Sequence, residues 1–241
     1  MENRITYKVY GTNALFTDPV TKTGGEKMSL MVPTYQALVG ITESIYWKPS
    51  IKWVIDEVRV MNPIRTESKG IRPIKYGGGN DLAYYTYLTD VEYQVKAHFE
   101  FNYARKDLEA DFNENKHYFI AKRCVERGGR RDIFLGTREC QGYVEACEYM
   151  EGEGFYDHYG EMSLGMQFFG FSYPDDNGED RFFARFWTPV IKDGIIRFGN
   201  PKEHTTIREL HKFKMKKFTP GENFSGINEE GLLSEYEEGT K

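Results

Sequence analysis

A cation stands next to an imidazole near the middle of the chain, where Lys116 is followed by His117. A histidine near its unperturbed pKa of about 6.5 can take up or give a proton at neutral pH. A lysine beside it can hold a phosphate and stabilise the charge that develops on the phosphate oxygens. RNA carries its own nucleophile in the 2′-hydroxyl, so a base, an acid and a cation are enough to cleave it without a metal. Phosphodiester cleavage is therefore one chemistry open to this pair.

Tyr46 is a candidate third member of such a site. It lies in the run Tyr46-Trp47-Lys48, just before Pro49. Its phenol could transfer a proton or position a ribose. Spacing alone does not decide whether these residues form an active site, because a Lys-His pair is also common on the solvated face of an amphipathic helix. Trp47 could likewise serve as packing at the rim.

The element that must position Tyr46 is a helix that begins after Thr34 and ends before Pro49. The hydroxyl of Thr34 can accept a hydrogen bond from a first-turn N–H. Leu38, Ile41 and Ile45 recur with the spacing of one buried helical face. The helix stops because a residue that precedes proline is pushed away from helical dihedral angles.

Lys116 and His117 lie in a second predicted helix, which spans Ala104–Gly128 or consists of two joined segments. In the second case Asn113 or Asn115 would cap the second segment. The paired glycines at 128 and 129 make a suitable end.

Strand patterns flank both helices. They cover Ile5–Phe16, Ile51–Met61 with a register shift near Asp56-Glu57, Leu82–Phe101 with a hairpin through Thr89-Asp90, and Ile133–Gln141. The resulting order is βαββαβ, which is typical of an α+β, ferredoxin-like domain with both helices on the same face of the sheet.

Changes in composition along the chain divide it into three predicted segments. Residues 1–141 form the predicted ferredoxin-like domain. Residues 142–218 form a β-rich region that contains a hairpin turn at Asp193-Gly194. Residues 219–241 are acidic and predicted to be disordered.

The net charge of −5 at first argues against a polyanionic partner. However, the segment from Asn228 to Lys241 alone carries −4 of it, so the rest of the chain is near −1. Local clusters therefore matter more than the total. Aromatic residues are frequent, with 17 Tyr and 17 Phe, which suits either stacking on bases or packing in strands.

The densest basic run is a candidate for phosphate contact without sequence reading, although a solvated surface is an equal explanation. Its members are Lys122, Arg123, Arg127, Arg130 and Arg131. An acidic run just before it could be read as a divalent-metal cluster, but carboxylates near a helix start more often complement the helix dipole. Its members are Asp107, Glu109, Asp111 and Glu114.

No metal or cofactor site is predicted. The three cysteines are Cys124, Cys140 and Cys147, and they show no CxxC pairing, so they indicate neither a zinc site nor a disulfide framework. The first residues contain no apolar run of the signal-peptide kind, and no stretch is long enough to cross a bilayer. We expect a cytoplasmic protein with no membrane partner.

Several blocks together resemble one family. They are YKVYGTNALFTDP, PTYQALVGITESIYWKPSIKWVIDEVRVMNPI, ENKHYFIAKR, FLGTREC and FFARFWTPVIKDGIIRF, in that order. The series is similar to the Cas-five subunit of subtype I-C (Dvulg-type) CRISPR systems, a RAMP protein. The resemblance runs from about Tyr7 to about Gly199, and the acidic tail lies outside it.

This resemblance implies an endoribonuclease that cuts precursor CRISPR RNA at each hairpin repeat without a metal. It also implies that the protein then stays in the type I-C Cascade complex with the other subunits and holds the crRNA handle. The family's catalytic tyrosine falls on Tyr46, and its lysine and histidine fall on Lys116 and His117. Related subunits of other subtypes do not cut RNA, so a structural role in holding the RNA is the alternative.

Overall fold

The computed structural model describes residues 3–19, 21–103, 105–174, 179–199 and 206–212. It has two α-helices, α1 (Tyr35–Ile45) and α2 (Glu114–Glu126), within these ranges. The strands are β1 (Arg4–Ala14), β2 (Lys27–Met28), β3 (Ile51–Val60), β4 (Thr66–Ile71), β5 (Ala83–Phe101), β6 (Ile133–Phe134), β7 (Gln141–Ala146), β8 (Glu161–Ser163), β9 (Gln167–Ser172), β10 (Arg181–Trp187), β11 (Val190–Lys192), β12 (Ile195–Arg197) and β13 (Thr206–Lys212). The predicted acidic tail lies outside the described residues.

One ten-stranded sheet dominates the fold. Its order is β6-β7-β1-β5-β3-β12-β11-β8, with β2 and β4 also paired to β5. The four strands β7-β1-β5-β3 are antiparallel neighbours. With α1 between β1 and β3, and α2 between β5 and β7, they form the predicted ferredoxin-like βαββαβ plan. A second sheet has three strands in the order β13-β10-β9.

Both helices cover the same side of the large sheet. α1 packs on β3, α2 packs on β1 and β7, and the two helices contact each other. The sheet presents alternate residues to them, because successive side chains of a strand point to opposite faces. The buried set includes Ile5, Tyr7 and Val9 of β1 and Val95, Ala97 and Phe99 of β5.

The predicted hairpin through Thr89-Asp90 is wrong. β5 runs unbroken through these residues as a strand of 19 residues, and Asp90 adopts a φ of 51° within it. The strand can be this long because β1 and β3 pair along its second half, and β2 and β4 pair near its start. A local turn signal is thus overridden by pairing on both edges.

The predicted strand Ile133–Gln141 is instead a short hairpin. β6 ends at Phe134, the chain turns, and β7 begins at Gln141. The turn is closed by hydrogen bonds from Leu135 N to Cys140 O (2.8 Å) and from Cys140 N to Thr137 O (3.0 Å). Gly136 sits in the turn with φ 96°, and a Cβ there would lie 2.1 Å from the carbonyl oxygen of Leu15.

The opposite face of the sheet carries two charge clusters, a buried one around Arg59 and a partly exposed one around Asp56. The guanidinium of Arg59 is 1% exposed and binds Asp157, Gln94 and the carbonyls of residues 151 and 152. His98 Nδ1 lies 2.8 Å from Asp56 Oδ1, at the predicted register shift in β3. Arg4 also contacts Asp56, at 3.2 Å.

The described residues divide into two compact units, one made of residues up to Phe171 with Ala184–Arg208 and the other of Ser172–Phe183 with residues 209–212. The large sheet and both helices belong to the first. Strands β7, β8, β11 and β12 of that sheet come after residue 141, and the predicted three-segment division stays a prediction. No helix among the residues described above is long and apolar enough to span a membrane.

Candidate active site

Tyr46 is held where α1 ends. The helix begins as predicted, with Thr34 Oγ1 accepting from Ala37 N at 3.1 Å. At the other end Tyr46 adopts an extended conformation while its N–H still donates to Thr42 O at 3.0 Å. Its own carbonyl accepts from the indole of Trp53 at 2.7 Å. The backbone is fixed on both sides, and the tyrosine ring turns inward, 2% exposed.

His117 is positioned by the start of α2. Residues 106–111 form a 3-10 helix, and a separate helix then begins with Asn113 as its cap, whose side chain accepts from Lys116 N at 3.0 Å. The prediction of two segments with Asn113 as a cap is confirmed. His117 follows one turn later and is fully buried, with its ring about 6 Å from those of Phe99 and Phe101.

Tyr46 and His117 meet directly. The phenolic oxygen lies 2.8 Å from His117 Nδ1, although 71 residues separate the two in sequence. On the other side of the ring, Nε2 lies 2.8 Å from the carbonyl oxygen of Asp111. A carbonyl can only accept, so Nε2 carries a proton; when the imidazole is neutral, Nδ1 accepts from the tyrosine O–H.

The tyrosine is a donor rather than a phenolate. Burial raises the pKa of Tyr46 to about 12, and the charge of Asp111 acts in the same direction. At neutral pH the phenol therefore keeps its proton and directs it to the imidazole.

Lys116 joins the pair through Asp111. Its ammonium forms an ion pair with Asp111 Oδ1, while Ser50 Oγ donates to Asp111 Oδ2 at 2.5 Å. Hydrogen bonds from Lys116 and then Ser50 hold the pKa of the Asp111 carboxyl below its ordinary value. Oδ2 also lies 3.4 Å from His117 Nε2. Lys116 and His117 thus lie beside one carboxylate, and Tyr46 joins them through its contact with His117.

The sequence analysis did not assign Ser50 or Asp111 to the site. Asp111 was expected to complement the dipole of the second helix, but it lies at the end of the preceding 3-10 helix, and its side chain faces Lys116 and Ser50. Among the residues the structure describes, no three His, Cys, Asp or Glu side chains gather as a metal site would require.

The predicted basic residues are all exposed, and the structure separates them. Arg127, Arg130 and Arg131 line one open groove of about 950 Å³, together with Arg138, Tyr10 and Tyr143. Lys122 lines a different groove, beside Glu126, Glu148 and Glu151. Arg123 lines neither.

The arginine groove borders the candidate catalytic residues. The backbone N–H of Arg130 lies 3.2 Å from the carbonyls of Ser44 and Ile45, and its guanidinium donates to Trp47 O at 3.3 Å. These three carbonyls flank Tyr46 in sequence, so the loop after α2 is tied to the end of α1. Arg138 had escaped the sequence analysis because it stands outside the basic run, in the turn between β6 and β7.

Comparison with known proteins decides the family. The model of the family described as CRISPR-associated protein (Cas_Cas5) matches residues 5–199. The chain belongs to this family.

Two curated relatives of this Cas_Cas5 family member are named CRISPR pre-crRNA endoribonuclease Cas5d. The one from Mannheimia succiniciproducens is 47% identical over 68 residues, which is 28% of this chain and 29% of the relative. The one from Thermus thermophilus is 25% identical over 184 residues, which is 73% of this chain and 76% of the relative.

Two solved structures share the fold over most of the chain. One is described as a CRISPR-associated protein and is 37% identical with a TM-score of 0.73, covering 85% of this chain and 96% of the other. A functionally uncharacterized protein from Streptococcus mutans is 39% identical with a TM-score of 0.71 and the same coverage. The predicted RAMP-type fold is confirmed.

Proposed function

We propose that this chain is a metal-independent endoribonuclease that cleaves precursor CRISPR RNA within the repeat. It then stays bound to the mature crRNA as a subunit of the type I-C Cascade complex. The observation that carries the proposal is the contact between Tyr46 and His117 beside Lys116. Membership in a family whose curated relatives are named pre-crRNA endoribonucleases supports the choice of substrate.

The reaction uses the 2′-hydroxyl of the RNA as its nucleophile. The 2′ oxygen attacks phosphorus in line, the bond from phosphorus to the 5′ oxygen breaks, and the products are a 2′,3′-cyclic phosphate and a 5′-hydroxyl. Tyr46 and His117 take up the proton of the 2′-hydroxyl and supply the proton of the leaving 5′ oxygen. Lys116 stabilises the negative charge on the phosphate oxygens in the transition state.

The hydrogen bond makes the tyrosine and histidine one proton-transfer unit. A phenol with a pKa of about 12 is a poor base by itself. If its oxygen accepts the 2′ proton while its own proton moves to His117 Nδ1, no phenolate has to form. This relay is why the distance of 2.8 Å matters more than the position of either group alone.

Recognition is expected to depend on the shape of the repeat hairpin and its flanking single strand, because side chains cannot read the deep major groove of A-form RNA. The proposed backbone contacts are Lys122, Arg123, Arg127, Arg130 and Arg131. Arg127, Arg130 and Arg131 line the groove beside the end of α1, where the backbone N–H of Arg130 binds carbonyls next to Tyr46 in sequence.

A second candidate is a structural subunit that holds the crRNA and cuts nothing. The observation that favours it is burial: Tyr46 is 2% and His117 0% exposed, and both ring nitrogens of His117 have partners. In this state no RNA can reach the imidazole, so a cleaving enzyme has to open.

The deciding experiment is cleavage of a cognate repeat RNA in EDTA by the native protein and by His117→Ala, with RNA binding measured in parallel. His117→Asn is the second variant, because its amide keeps a partner near the Tyr46 hydroxyl but cannot take up a proton. We expect the native protein to cut and both variants to bind without cutting.

Each of the other possible results would exclude one hypothesis. Binding without cutting by the native protein would favour the structural subunit. Cleavage that stops in EDTA would favour a metal-dependent nuclease that uses the carboxylates between Asp107 and Glu114. Equal cutting by native protein and variants would remove His117 from the site.

A further inference from the structure

The carboxylate of Asp111 is bound by two donors of different kinds and has an imidazole beside it. The ammonium of Lys116 pairs with one oxygen, and the hydroxyl of Ser50 donates to the other at 2.5 Å. The Nε2–H of His117 lies 3.4 Å from that second oxygen. A cation and a hydroxyl thus bind two oxygen atoms that share one negative charge, and the imidazole, whose N–H is directed to the Asp111 carbonyl, lies beside them.

A phosphodiester presents the same pattern, since its two non-bridging oxygens also share one negative charge. Donors placed for charge-assisted hydrogen bonds to a carboxylate suit such a phosphate equally well. We propose that Asp111 occupies the binding subsite of the scissile phosphate in the free protein, that Ser50 is a phosphate-binding residue beside Lys116, and that RNA binds by displacing the carboxylate.

The exposure of the groups fits a displaceable occupant. The side chains of Lys116 and Asp111 are 48% and 27% exposed, so a phosphate can approach from solvent. Ser50 and His117 are only 1% and 0% exposed. Their donor atoms both lie against Asp111, so they become available to a ligand when this residue moves.

The backbone of Asp111 links the same movement to the proton-transfer pair. Its carbonyl is the partner of His117 Nε2 at 2.8 Å. Asp111 lies at the end of the 3-10 helix, outside α2, which is capped independently by Asn113. One displacement would therefore release the cation, the hydroxyl and the imidazole together, which accounts for a proposed active site that is closed in the absence of RNA.

This inference rests on the proposed function only in taking RNA as the ligand, and it can be tested without catalysis. A repeat RNA that is 2′-O-methylated throughout cannot be cut by 2′-hydroxyl attack at any bond. Its dissociation constant would be measured for the native protein, Asp111→Ala and Glu109→Ala. Glu109 lies in the same 3-10 helix and is exposed, so its loss removes the same charge from the same segment.

We expect Asp111→Ala to bind this RNA about threefold to tenfold more tightly than Glu109→Ala does, because the competing carboxylate is gone. Asp111→Asn should give a smaller gain in the same direction and serves if the alanine variant does not fold. Adding Ser50→Ala to Asp111→Ala should weaken binding about twofold to fivefold, since one phosphate hydrogen bond is lost.

Affinity of Asp111→Ala equal to or weaker than that of Glu109→Ala would overturn the proposal and make Asp111 a positioning residue for Lys116 and His117. Unchanged affinity on adding Ser50→Ala would remove Ser50 from the subsite. Cleavage of unmodified RNA tests the proposed function separately from the proposed phosphate subsite. Tighter binding by a protein that never cuts supports the subsite and removes the nuclease; cutting with no affinity difference does the reverse.

Discussion

When a buried tyrosine hydroxyl loses its hydrogen-bond partner, water cannot replace that partner. That is the situation of Tyr46, whose O–H points at His117 Nδ1 from a site that is 2% exposed. Its hydroxyl therefore contributes to stability and, by our proposal, to proton transfer. The two contributions can be separated because the fold offers a second tyrosine of the same kind: Tyr7, fully buried, hydrogen-bonded to Thr42 at 2.7 Å.

Tyr46→Phe should lower the single-turnover cleavage rate by about 100-fold or more, in the range of a lost proton-transfer group. RNA affinity should change less than threefold. Tyr7→Phe removes a comparable buried hydrogen bond, and both variants should lose about 1–2 kcal/mol of stability. Equal cleavage by the two variants would show that the Tyr46 hydroxyl has only a structural role.

At the scale of elements, two short connections hold the ends of the helices in place. The loop after α2 donates backbone N–H groups to the last carbonyls of α1. The turn between β6 and β7 passes so close to β1 that Gly136 has no room for a side chain. The first of these connections ties the arginine groove to the segment that carries Tyr46.

Gly136→Ala should destabilise the protein by about 2–4 kcal/mol, because a Cβ would overlap the Leu15 carbonyl and the residue has a positive φ. Gly160→Ala is the matched control: its φ is 82°, and nothing lies within 4 Å of the added Cβ. We expect it to cost only about 1 kcal/mol. Chemical denaturation measures both, and equal losses would mean that steric overlap at Gly136 is relieved by movement of the turn.

The arginine groove, which is lined by the loop after α2 and by residues of β6 and β7, gives a second prediction at this scale. Arg131→Gln should lower the slope of log affinity for repeat RNA against log salt concentration by about 0.7, the loss expected for one phosphate contact on a single strand. Lys122→Gln should change it less, because Glu126, Glu148 and Glu151 balance the charges of Arg4, Lys96 and Lys122 in their groove. In the arginine groove four arginines outnumber Asp132 and Glu145. A larger effect of Lys122→Gln would assign the RNA to the other groove.

At the scale of the whole molecule, charge pairs on the sheet face opposite the helices make stability depend on pH. A hydrogen bond to Asp56 raises the pKa of His98. Burial raises the pKa of Asp56, but the hydrogen bond and charge of His98 and the charge of Arg4 outweigh it and leave that pKa below its ordinary value.

The signs follow from linkage. The contribution of His98 is complete below its unfolded pKa of about 6.5 and is lost as the pH rises through its higher folded value. The contribution of Asp56 is present above its unfolded pKa of about 3.9 and is lost as the pH falls through its lower folded value. The pair therefore stabilises the fold most between about pH 4 and pH 6.5.

His98→Gln should accordingly lower the free energy of unfolding by about 0.5–1 kcal/mol more at pH 5.5 than at pH 8.5. Urea denaturation at the two pH values measures this. A loss for His98→Gln that is the same at both pH values would mean that the pair contributes as a neutral hydrogen bond.

Local signals in the sequence predicted the parts of this fold that local chemistry determines. Thr34 and Asn113 cap the helices as expected, and Asp193-Gly194 forms the expected turn, with positive φ at both residues. The ferredoxin-like order followed from the succession of patterns. The turn at Gly136 was missed because FLGTREC has the composition of a strand, and its close approach to Leu15 is a tertiary contact.

The candidate site needed more than local signals. Spacing could nominate Lys116 and His117 but could not bring Tyr46 to them across 71 residues; the family resemblance did that. Neither spacing nor the family resemblance pointed to Ser50 and Asp111. They lie 61 residues apart and meet only when the end of α1 packs beside the start of α2.

The position of β1 in the sheet has a consequence for synthesis of the protein. Tyr7 pairs with Val95 on one side and with Ala146 on the other, so β1 is translated before either of its neighbours in the sheet. Until β5 and β7 have been translated, its two unpaired edges are open to other chains. We therefore expect yield in cells to be limited by aggregation of nascent chains that have not yet been translated through β7.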